Sequence, residues 1–363
     1  MKKKLKDLLD YEQPTKYIVK TENYSDEYKL PVLTAGKSFV LGYTNETEGV
    51  FRGKNEPVII FDDFTRDTKY VDFDFKVKSS AMKILHKHNK DDSLKYLHYA
   101  LNNIKYVPFS HKRLWISDFS NMEIDYPSPE IQNTIATELD TIQSAIDNKK
   151  QQLALLDEAV KSEFVEMFGN PVTNEKGWES KRLDLCCDGI GDGLHGTPEY
   201  VDESNFPFIN GNNLENNIII TSGTKFVSKE TYEKHYISLT ENTLLLSING
   251  TLGKLAYYKG ETVMLGKSAC YIILKKEINK RFVFGLMSSD SFLDFMEHAS
   301  TKSTIKNVGL KAIRDYKLIL PPLDLQNKFA AFVQQIDKSK FIVKQQIADL
   351  QELLDSKMQE YFS

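Results

Sequence analysis

Two segments of the chain carry apolar residues in alternating steps of three and four, the spacing that lines one face of an α-helix. Prolines open each segment, and neither contains a later proline or an internal glycine. We therefore predict two long helices, over 126–169 and 321–363, each about 60 Å long at about 1.5 Å per residue. The two stripes are Ile135, Leu139, Ile142, Ile146, Leu153, Leu156, Val160, Phe164 and Met167, and Phe329, Val333, Ile336, Val343, Ile347, Leu350, Leu354, Met358 and Tyr361.

These two segments also repeat each other. Pro127 aligns with Pro321, and the alignment continues without a gap to Phe168 and Phe362. It matches Gln132 with Gln326 and the triplet 150–152 with 344–346. Each stripe is the obvious partner of the other, so we expect an antiparallel coiled coil. The alternative is that each helix lies on its own domain.

The residues between the helical segments form short apolar runs punctuated by Gly and Asn, which favour β-strands. An amphipathic stretch follows in each half, at 93–102 and 282–296, and then a polar, basic loop. The sequence predicts an α+β fold with a pseudo-twofold internal repeat: two globular α/β domains, 1–125 and 170–320, separated by the two helices. The expected strands are 30–36, 57–61, 68–73 and 80–85 in the first domain, and 207–211, 242–250, 254–258 and 269–274 in the second.

The net charge of −4 argues against a protein that binds nucleic acid through an overall positive charge. The formal charge is +2 over 1–125, −5 over 126–169, zero over 170–320 and −1 over 321–363. Nucleic-acid binding would then depend on local patches in the two globular domains.

The composition, with 41% hydrophobic and 27% charged residues, matches that of ordinary soluble proteins, and two absences lead us to expect a cytoplasmic location. No run approaches the roughly 18 apolar residues of a membrane span, and Lys6 and Asp7 interrupt the apolar region that a signal peptide would need. Three cysteines, Cys186, Cys187 and Cys270, do not form an even disulfide framework, so we expect free or buried thiols.

No catalytic or metal motif is complete. Gly36-Lys37-Ser38 and Gly266-Lys267-Ser268 lack the glycine that a phosphate-binding loop places five residues earlier. His195 has no second ligand at zinc spacing, and the pair Asp62-Asp63 is most simply a turn after a strand. The sole Asn-Pro, at Asn170, continues with valine rather than with the residues of a methyltransferase motif.

Three stretches of the chain resemble type I restriction-modification DNA specificity (S) subunits. Residues 57–65 and 75–82 are similar to one recurrent class of target-recognition domain, and 192–198 to the opening of another. The helices with Gln132-Asn133 and Gln326-Asn327 resemble the two conserved regions of the family. The resemblance implies a non-catalytic subunit that reads a bipartite, asymmetric site on double-stranded DNA and uses the helices as a spacer. It also implies two methyltransferase (M) subunits docked on the helices and restriction (R) subunits, with S-adenosylmethionine, ATP and Mg on those partners rather than on this chain.

Polar side chains in loops read base edges in the major groove, and basic side chains contact phosphates. The loops 111–113 and 300–306 rank highest, because they occupy equivalent places in the two halves but differ in residues. Two other functions stay open: a coiled-coil scaffold for protein assembly without DNA, and a single-chain restriction or methylation enzyme. The candidate DNA-binding residues are Lys37, Ser38, Arg52, Thr65, Arg66, Lys69, Lys78, Ser79, Lys112 and Arg113 in the first domain, and His195, Thr197, Asn210, Asn212, Asn213, Asn249, Thr251, Lys254, Lys302, Ser303, Thr304 and Lys306 in the second.

Overall fold

The computed structural model describes residues 1–35, 38–106, 113–215 and 217–363. The chain divides into two compact units. Unit 1 comprises residues 1–150 and 345–363, and unit 2 comprises residues 151–344. Each long helix therefore contributes one part to each unit.

The described elements follow one another in chain order. Up to the first long helix they are β1 (Lys2–Lys4), β2 (Leu9–Glu12), β3 (Leu30–Leu33), β4 (Val40–Thr44), β5 (Phe51–Arg52), β6 (Val58–Asp62), β7 (Thr68–Val71), β8 (Asp74–Val77), β9 (Met82–Lys87), α1 (Leu94–Asn103), α2 (Leu114–Ser117), β10 (Glu123–Asp125) and α3 (Pro129–Phe168). After it they are β11 (Glu179–Arg182), β12 (Cys187–Asp192), β13 (Tyr200–Val201), β14 (Phe208–Ile209), β15 (Leu214–Glu215), β16 (Ile218–Ile219), β17 (Phe226–Val227), α4 (Lys229–Lys234), β18 (Thr243–Ser247), β19 (Leu255–Tyr257), β20 (Met264–Leu265), β21 (Ala269–Leu274), α5 (Lys280–Met287), α6 (Asp290–Ala299), α7 (Leu310–Asp315), β22 (Lys317–Leu320) and α8 (Leu323–Phe362).

Unit 1 is built on an antiparallel sheet of order β2-β9-β6-β7. A second sheet has the order β4-β3-β8-β5, in which β3 and β8 are parallel. Side chains of β6 alternate between two cores, as the period of two along a strand requires. Ile59 and Phe61 pack with residues of α1 and α3, whereas Val58 and Ile60 pack with residues of the second sheet.

Unit 2 repeats this plan with an antiparallel sheet of order β12-β21-β18-β19. Leu244 and Leu246 of β18 pack in the core that also holds residues of α5 and α8, and Leu245 packs in a second core. The two-stranded pair β11-β22 corresponds to β1-β10 of unit 1. The internal repeat that the sequence predicts in the helices therefore extends to the order of the strands, and the predicted α+β class is confirmed.

A buried glutamine near the start of each long helix makes the same hydrogen bonds in both copies of the repeat. Gln132 Oε1 accepts the backbone N–H of Ser93 (3.0 Å), and its Nε2 donates to the carbonyl of Pro127 (3.0 Å). Gln326 makes the same two bonds, accepting from Asn279 N–H (3.0 Å) and donating to the Pro321 carbonyl (2.8 Å). Ser93 and Asn279 are the N-cap residues of α1 and α5. Each glutamine thus ties a long helix to the first turn of the helix that covers the sheet.

We expect Gln132→Leu to lower the free energy of unfolding of unit 1 by about 2 kcal/mol, because the N–H and carbonyl that Gln132 satisfies lose their partner. Asn148→Leu, at an exposed position of the same helix within unit 1, is the matched control and should change it little. Trp115 lies in unit 1 and Trp178 in unit 2, and they are the chain's two tryptophans. Urea unfolding followed by tryptophan fluorescence in a Trp178→Phe background therefore reports unit 1. Equal urea midpoints for both leucine variants would contradict this role.

The two predicted apolar stripes face protein rather than solvent, since every one of their residues is buried or half-buried. In unit 2 the two long helices are antiparallel, as the sequence predicts, because a later residue of α3 contacts an earlier residue of α8. The contacts are Glu138 with Lys357 (3.1 Å) in unit 1, and Asp157 with Lys340 (2.5 Å) and Phe164 with Phe329 (ring centroids 5.5 Å apart) in unit 2.

Some predicted bounds were wrong. The single amphipathic stretch over 282–296 is two helices, because the Ser289 side chain caps a new helix by accepting the N–H of Phe292. The predicted strand 30–36 ends at Leu33, and the strand predicted over 207–211 is confined to Phe208–Ile209.

The three cysteines are buried free thiols. Burial raises the pKa of Cys187 to about 12 and raises that of Cys270 further. Both side chains are therefore protonated at neutral pH and pack as small apolar groups. Among the helices that the structure describes, none combines the length and the apolarity needed to cross a membrane.

Candidate nucleic-acid interface

The turn between β6 and β7 presents two of the predicted residues of unit 1, and the buried carboxylate of Asp62 shapes it. Asp62 Oδ1 accepts the N–H groups of Phe64 (2.8 Å) and Thr65 (3.2 Å), and Oδ2 accepts the Thr65 hydroxyl (2.7 Å). Arg66 has a φ of 66°, in the left-handed region that non-glycine residues seldom adopt. Its Nη1 donates to the carbonyl of Ile104 (2.6 Å). The turn is thereby held in one conformation, as the expectation of a turn at Asp62-Asp63 requires.

Asp63 joins this turn to the segment that starts at Arg113. Its carbonyl accepts the N–H of Leu114 (2.9 Å), and its Oδ1 accepts the N–H of Trp115 (3.0 Å). Its Oδ2 lies 3.1 Å from the Nζ of Lys83, and the two side chains are 2% and 0% exposed. Arg113, the residue before Leu114, is consequently held beside the turn, with its side chain exposed.

We expect Lys83→Met to destabilise unit 1 by about 3 to 5 kcal/mol, because it leaves the Asp63 carboxylate buried without its cation. Adding Asp63→Asn removes that charge and keeps an oxygen for the Trp115 N–H, so the double variant should recover most of the loss. Lys20 and Glu48 form a matched exposed pair, 70% and 82% exposed, and Lys20→Met should cost less than about 1 kcal/mol. Urea unfolding in the Trp178→Phe background measures all three. A double variant as unstable as Lys83→Met alone would contradict the charge argument.

The predicted residues of unit 1 occupy several different environments. Arg66 and Lys69 line a cleft of about 440 Å³ together with Thr34 and Asn102, residues that sequence reasoning did not select. Lys78 and Arg52 are each paired with a carboxylate, and Ser79 Oγ accepts the N–H of Ala81 (3.3 Å). Ser38 is exposed. Lys37 and Lys112 lie outside the described residues.

One side chain in each of these ion pairs, Asp74 and Lys78, has a shifted pKa. The Arg52 guanidinium, 2.9 Å from the Asp74 carboxylate, holds the pKa of that carboxyl below its usual range. The hydrogen bond to Glu22 raises the pKa of Lys78. Exposed pairs of this kind contribute little to stability, so a phosphate could replace the carboxylate at small cost.

In unit 2, backbone bonds join two of the predicted loops. The N–H of Gly250 donates to the carbonyl of Lys306 (2.9 Å), and Val308 N–H donates to the carbonyl of Ile248 (2.9 Å). Asn249 and Asn307 form an isolated β-bridge. The structure therefore brings together the predicted residues of 249–254 and 302–306, namely Asn249, Thr251, Lys254, Lys302, Ser303, Thr304 and Lys306.

A second set of bonds connects the loops that carry His195 and Asn210. Leu194 N–H donates to the carbonyl of Leu265 (2.8 Å), and Lys267 N–H donates to the carbonyl of Leu194 (3.0 Å). Ser268 Oγ donates to Asn210 Oδ1 (3.0 Å), and the Ser268 carbonyl accepts the N–H of Ile248 (3.1 Å). This chain of contacts links the 193–197, 210–213 and 266–268 loops to the pair of loops described above.

The predicted residues in these loops differ in whether their side chains are hydrogen-bonded within the protein or exposed. Asn210 and Asn213 bond each other in a capping box, so their side chains shape a helical turn. Asn212 and Thr197 are exposed. His195 Nε2 lies 2.9 Å from Asp192 Oδ2, with the imidazole mostly exposed.

Sequence reasoning missed several exposed side chains beside these loops. Lys267 was set aside with an incomplete phosphate-loop motif, yet it lies exposed next to the His195 loop. Phe64 in the β6-β7 turn of unit 1 is 51% exposed, and Ile305 in the 302–306 loop of unit 2 is 65% exposed. Large apolar residues are more often expected in a core. Within the described part of the chain, some cations have no carboxylate within 4 Å. They include Lys69, Arg113, Lys254, Lys267 and Lys302.

The family model for the type I restriction modification DNA specificity domain matches residues 1–158 and 175–352. The chain belongs to this family. It is similar to the specificity subunit of the type I restriction enzyme EcoR124I/EcoR124II of Escherichia coli, with 52% identity over 129 residues, 35% of this chain and 32% of the relative. It is also similar to the type I restriction enzyme MjaIX specificity subunit of Methanocaldococcus jannaschii, with 25% identity over 262 residues, 66% of this chain and 60% of the relative. The chain thus matches less than two thirds of the length of either relative.

The fold matches that of solved chains over its whole length. The S subunit of a type I restriction-modification system from M. genitalium superimposes with a TM-score of 0.60 at 16% identity, covering 100% of this chain and 96% of that chain. A chain from work on complex assembly and conformational transition of the type I R-M system gives a TM-score of 0.55 at 14% identity, covering 99% and 97%. At these identities the likeness concerns the fold.

Proposed function

We propose that this chain is the DNA-specificity subunit of a type I restriction-modification complex. It reads a bipartite, asymmetric site on double-stranded DNA, with one half-site bound by unit 1 and the other by unit 2. The observation that carries the proposal is one scaffold used twice with different loops. The strand order β2-β9-β6-β7 recurs as β12-β21-β18-β19, whereas the residues at the loop tips differ.

The loops that follow the central strands illustrate this difference. Both the β6-β7 turn and the β18-β19 loop lead from a central strand to an edge strand. Each exposes a threonine, Thr65 or Thr251. The first adds Phe64 and Arg66, and the second adds Asn249 and glycines. Side chains of different chemistry in equivalent positions distinguish different bases, as an asymmetric site requires.

Local charge supports DNA binding despite the net charge of −4. The unpaired cations of each unit lie in the same loops as the polar side chains, where they would neutralise phosphates. The acidic excess lies over 126–169, in the first long helix. Contacts to phosphates would position each unit, and the polar side chains would select the bases.

The long helices are where M subunits would dock, and R subunits would complete the nuclease. Exposed apolar side chains on both helices support a protein partner there. S-adenosylmethionine, ATP and Mg would be bound by those cytoplasmic partners, and this chain would perform no chemistry itself. The exposed apolar residues are Ile131, Leu155, Val165, Leu323, Phe341, Ile342 and Leu353.

Selection from a random pool of DNA duplexes by the purified complex with its methyltransferase tests the proposal. We expect enrichment of two short sequence elements separated by a spacer of constant length and variable sequence. A stable, methylation-competent complex that enriches no sequence would contradict it and would favour a scaffold without DNA binding.

The cationic loops give a quantitative prediction. We expect the fourfold alanine variant of Lys112, Arg113, Lys302 and Lys306 to bind DNA more weakly and with a shallower dependence on salt. Each lost phosphate contact should reduce the slope of log K against log salt by about 0.9. A base-reading arginine should in addition cost about 1 to 3 kcal/mol and relax one position of the site. Fluorescence anisotropy at several salt concentrations measures both. An unchanged slope and affinity would remove these loops from the interface.

A further inference from the structure

The β6-β7 turn carries a feature that neither the core nor the phosphate contacts explain. Phe64 is 51% exposed, although it directly follows the buried residues Asp62 and Asp63. A single exposed apolar side chain is common on protein surfaces and would by itself mean little. Phe64 differs from such residues because several buried interactions fix the turn that keeps its side chain exposed.

That structure consists of buried charge and backbone strain. The Asp62 carboxylate accepts the N–H of Phe64 itself, and Asp63 is anchored to Lys83 in the interior. Arg66 closes the turn with a positive φ. Buried carboxylates and a left-handed non-glycine residue are costly, and such features concentrate at binding sites. They preorganise the backbone of a residue whose ring contributes little to the core.

The neighbours of Phe64 indicate which ligand this ring meets. Thr65 is exposed beside it, Lys69 follows on β7, and Arg113 is held against the same turn through Leu114. Cations that lack a carboxylate partner attract a polyanion, so the surface around Phe64 suits a phosphate backbone. The turn joins the antiparallel strands β6 and β7, and the major groove, which is about 12 Å wide, admits a two-stranded β-ribbon.

In that groove the apolar group that a phenyl ring meets is the C5-methyl of thymine, which distinguishes A·T from the other base pairs. We propose that Phe64 is a specificity-determining residue that contacts a thymine methyl group in the half-site bound by unit 1. The proposal rests on the proposed function. It adds that part of the sequence specificity comes from an apolar contact, made by a residue that is not among the polar candidate DNA-binding residues.

The test uses the complex with its methyltransferase and a duplex carrying the selected motif. Each thymidine of the unit 1 half-site is replaced in turn by deoxyuridine, which removes only the methyl group. We expect one replacement to weaken binding of the unaltered complex about fourfold, the equivalent of about 0.8 kcal/mol for one buried methyl group. Phe64→Ala should weaken binding to the thymidine duplex and should bind the deoxyuridine duplex equally well. Phe64→Leu should keep part of the discrimination.

Leu41→Ala is the matched control, since Leu41 is 44% exposed on β4 of the same unit. It should retain the full discrimination, and both alanine variants should keep the thermal midpoint of the unaltered chain. The inference is overturned if no replacement in that half-site weakens binding, if Phe64→Ala still discriminates thymidine from deoxyuridine, or if the half-site contains no A·T pair. A complex that binds no sequence specifically would instead refute the proposed function.

An apolar side chain could also wedge between base pairs. Phe64→Ala would then abolish an increase in 2-aminopurine fluorescence at one base step without altering the response to deoxyuridine. That result would overturn the thymine contact as well.

Discussion

Replacing residues 1–125 with the corresponding segment of another family member is expected to change one half of the methylated motif and to leave the other half unchanged. The loops and cations assigned to the first half-site all lie in this segment, and their anchoring bonds stay within unit 1. Specific and non-specific binding to DNA typically differ by about 10³ to 10⁷, so the exchanged half-site should be lost completely. Methylome sequencing of cells that express the chimera with the methyltransferase measures the outcome.

The junction decides whether such a chimera folds. Gln132 and Pro127 both stay with the recipient chain, so the incoming segment must supply, in place of Ser93, an N-cap residue whose N–H donates to Gln132. The reciprocal exchange of 170–320 is the matched control and should alter only the other half of the motif. A change in both halves after either exchange would show that the units do not read independently.

Inserting one heptad in both long helices is expected to lengthen the unread spacer by two to three base pairs. Lys150 and Lys344 are the last residues before each helix passes from one unit to the other, so the insertions follow them. Seven residues add about 10 Å of helix and keep the apolar stripes in phase. Duplex DNA rises about 3.4 Å per base pair along each strand, and bending of the DNA would reduce the change.

The half-sites themselves should be unchanged in this variant, because the loops are not touched. A heptad placed in α3 alone is the control, since it puts the two stripes out of register and should abolish methylation. An active variant with both insertions that keeps the original spacer would show that the helices do not set the distance.

The helical part of the fold was predictable because its signal is long and periodic. A stripe of nine apolar residues leaves little freedom of phase, and the aligned Gln132 and Gln326 mark the same buried position in both copies. The strands were found as apolar runs, but their ends depend on turn bonds such as that from Thr34 N–H to the Phe39 carbonyl. The break at Ser289 was missed because a serine cap carries a weak signal inside an amphipathic stretch.

The candidate site was predictable only as a set of polar loops. Sequence alone does not tell a side chain that reads DNA from one that holds its own loop, as the mutual bonds of Asn210 and Asn213 illustrate. Lys83 lies in a predicted strand, and its partner Asp63 is 20 residues away, so their buried pair becomes visible only in three dimensions. Phe64 was overlooked because an apolar residue after a strand is expected to be buried.

The central claim is that this chain reads two different half-sites with two copies of one scaffold. Methylome sequencing of a host that expresses the unaltered chain with its methyltransferase tests it most directly. We expect a single bipartite motif whose two halves differ in sequence and are separated by a spacer of fixed length. Methylation at a continuous motif, or at no recurrent motif despite an active complex, would contradict the account.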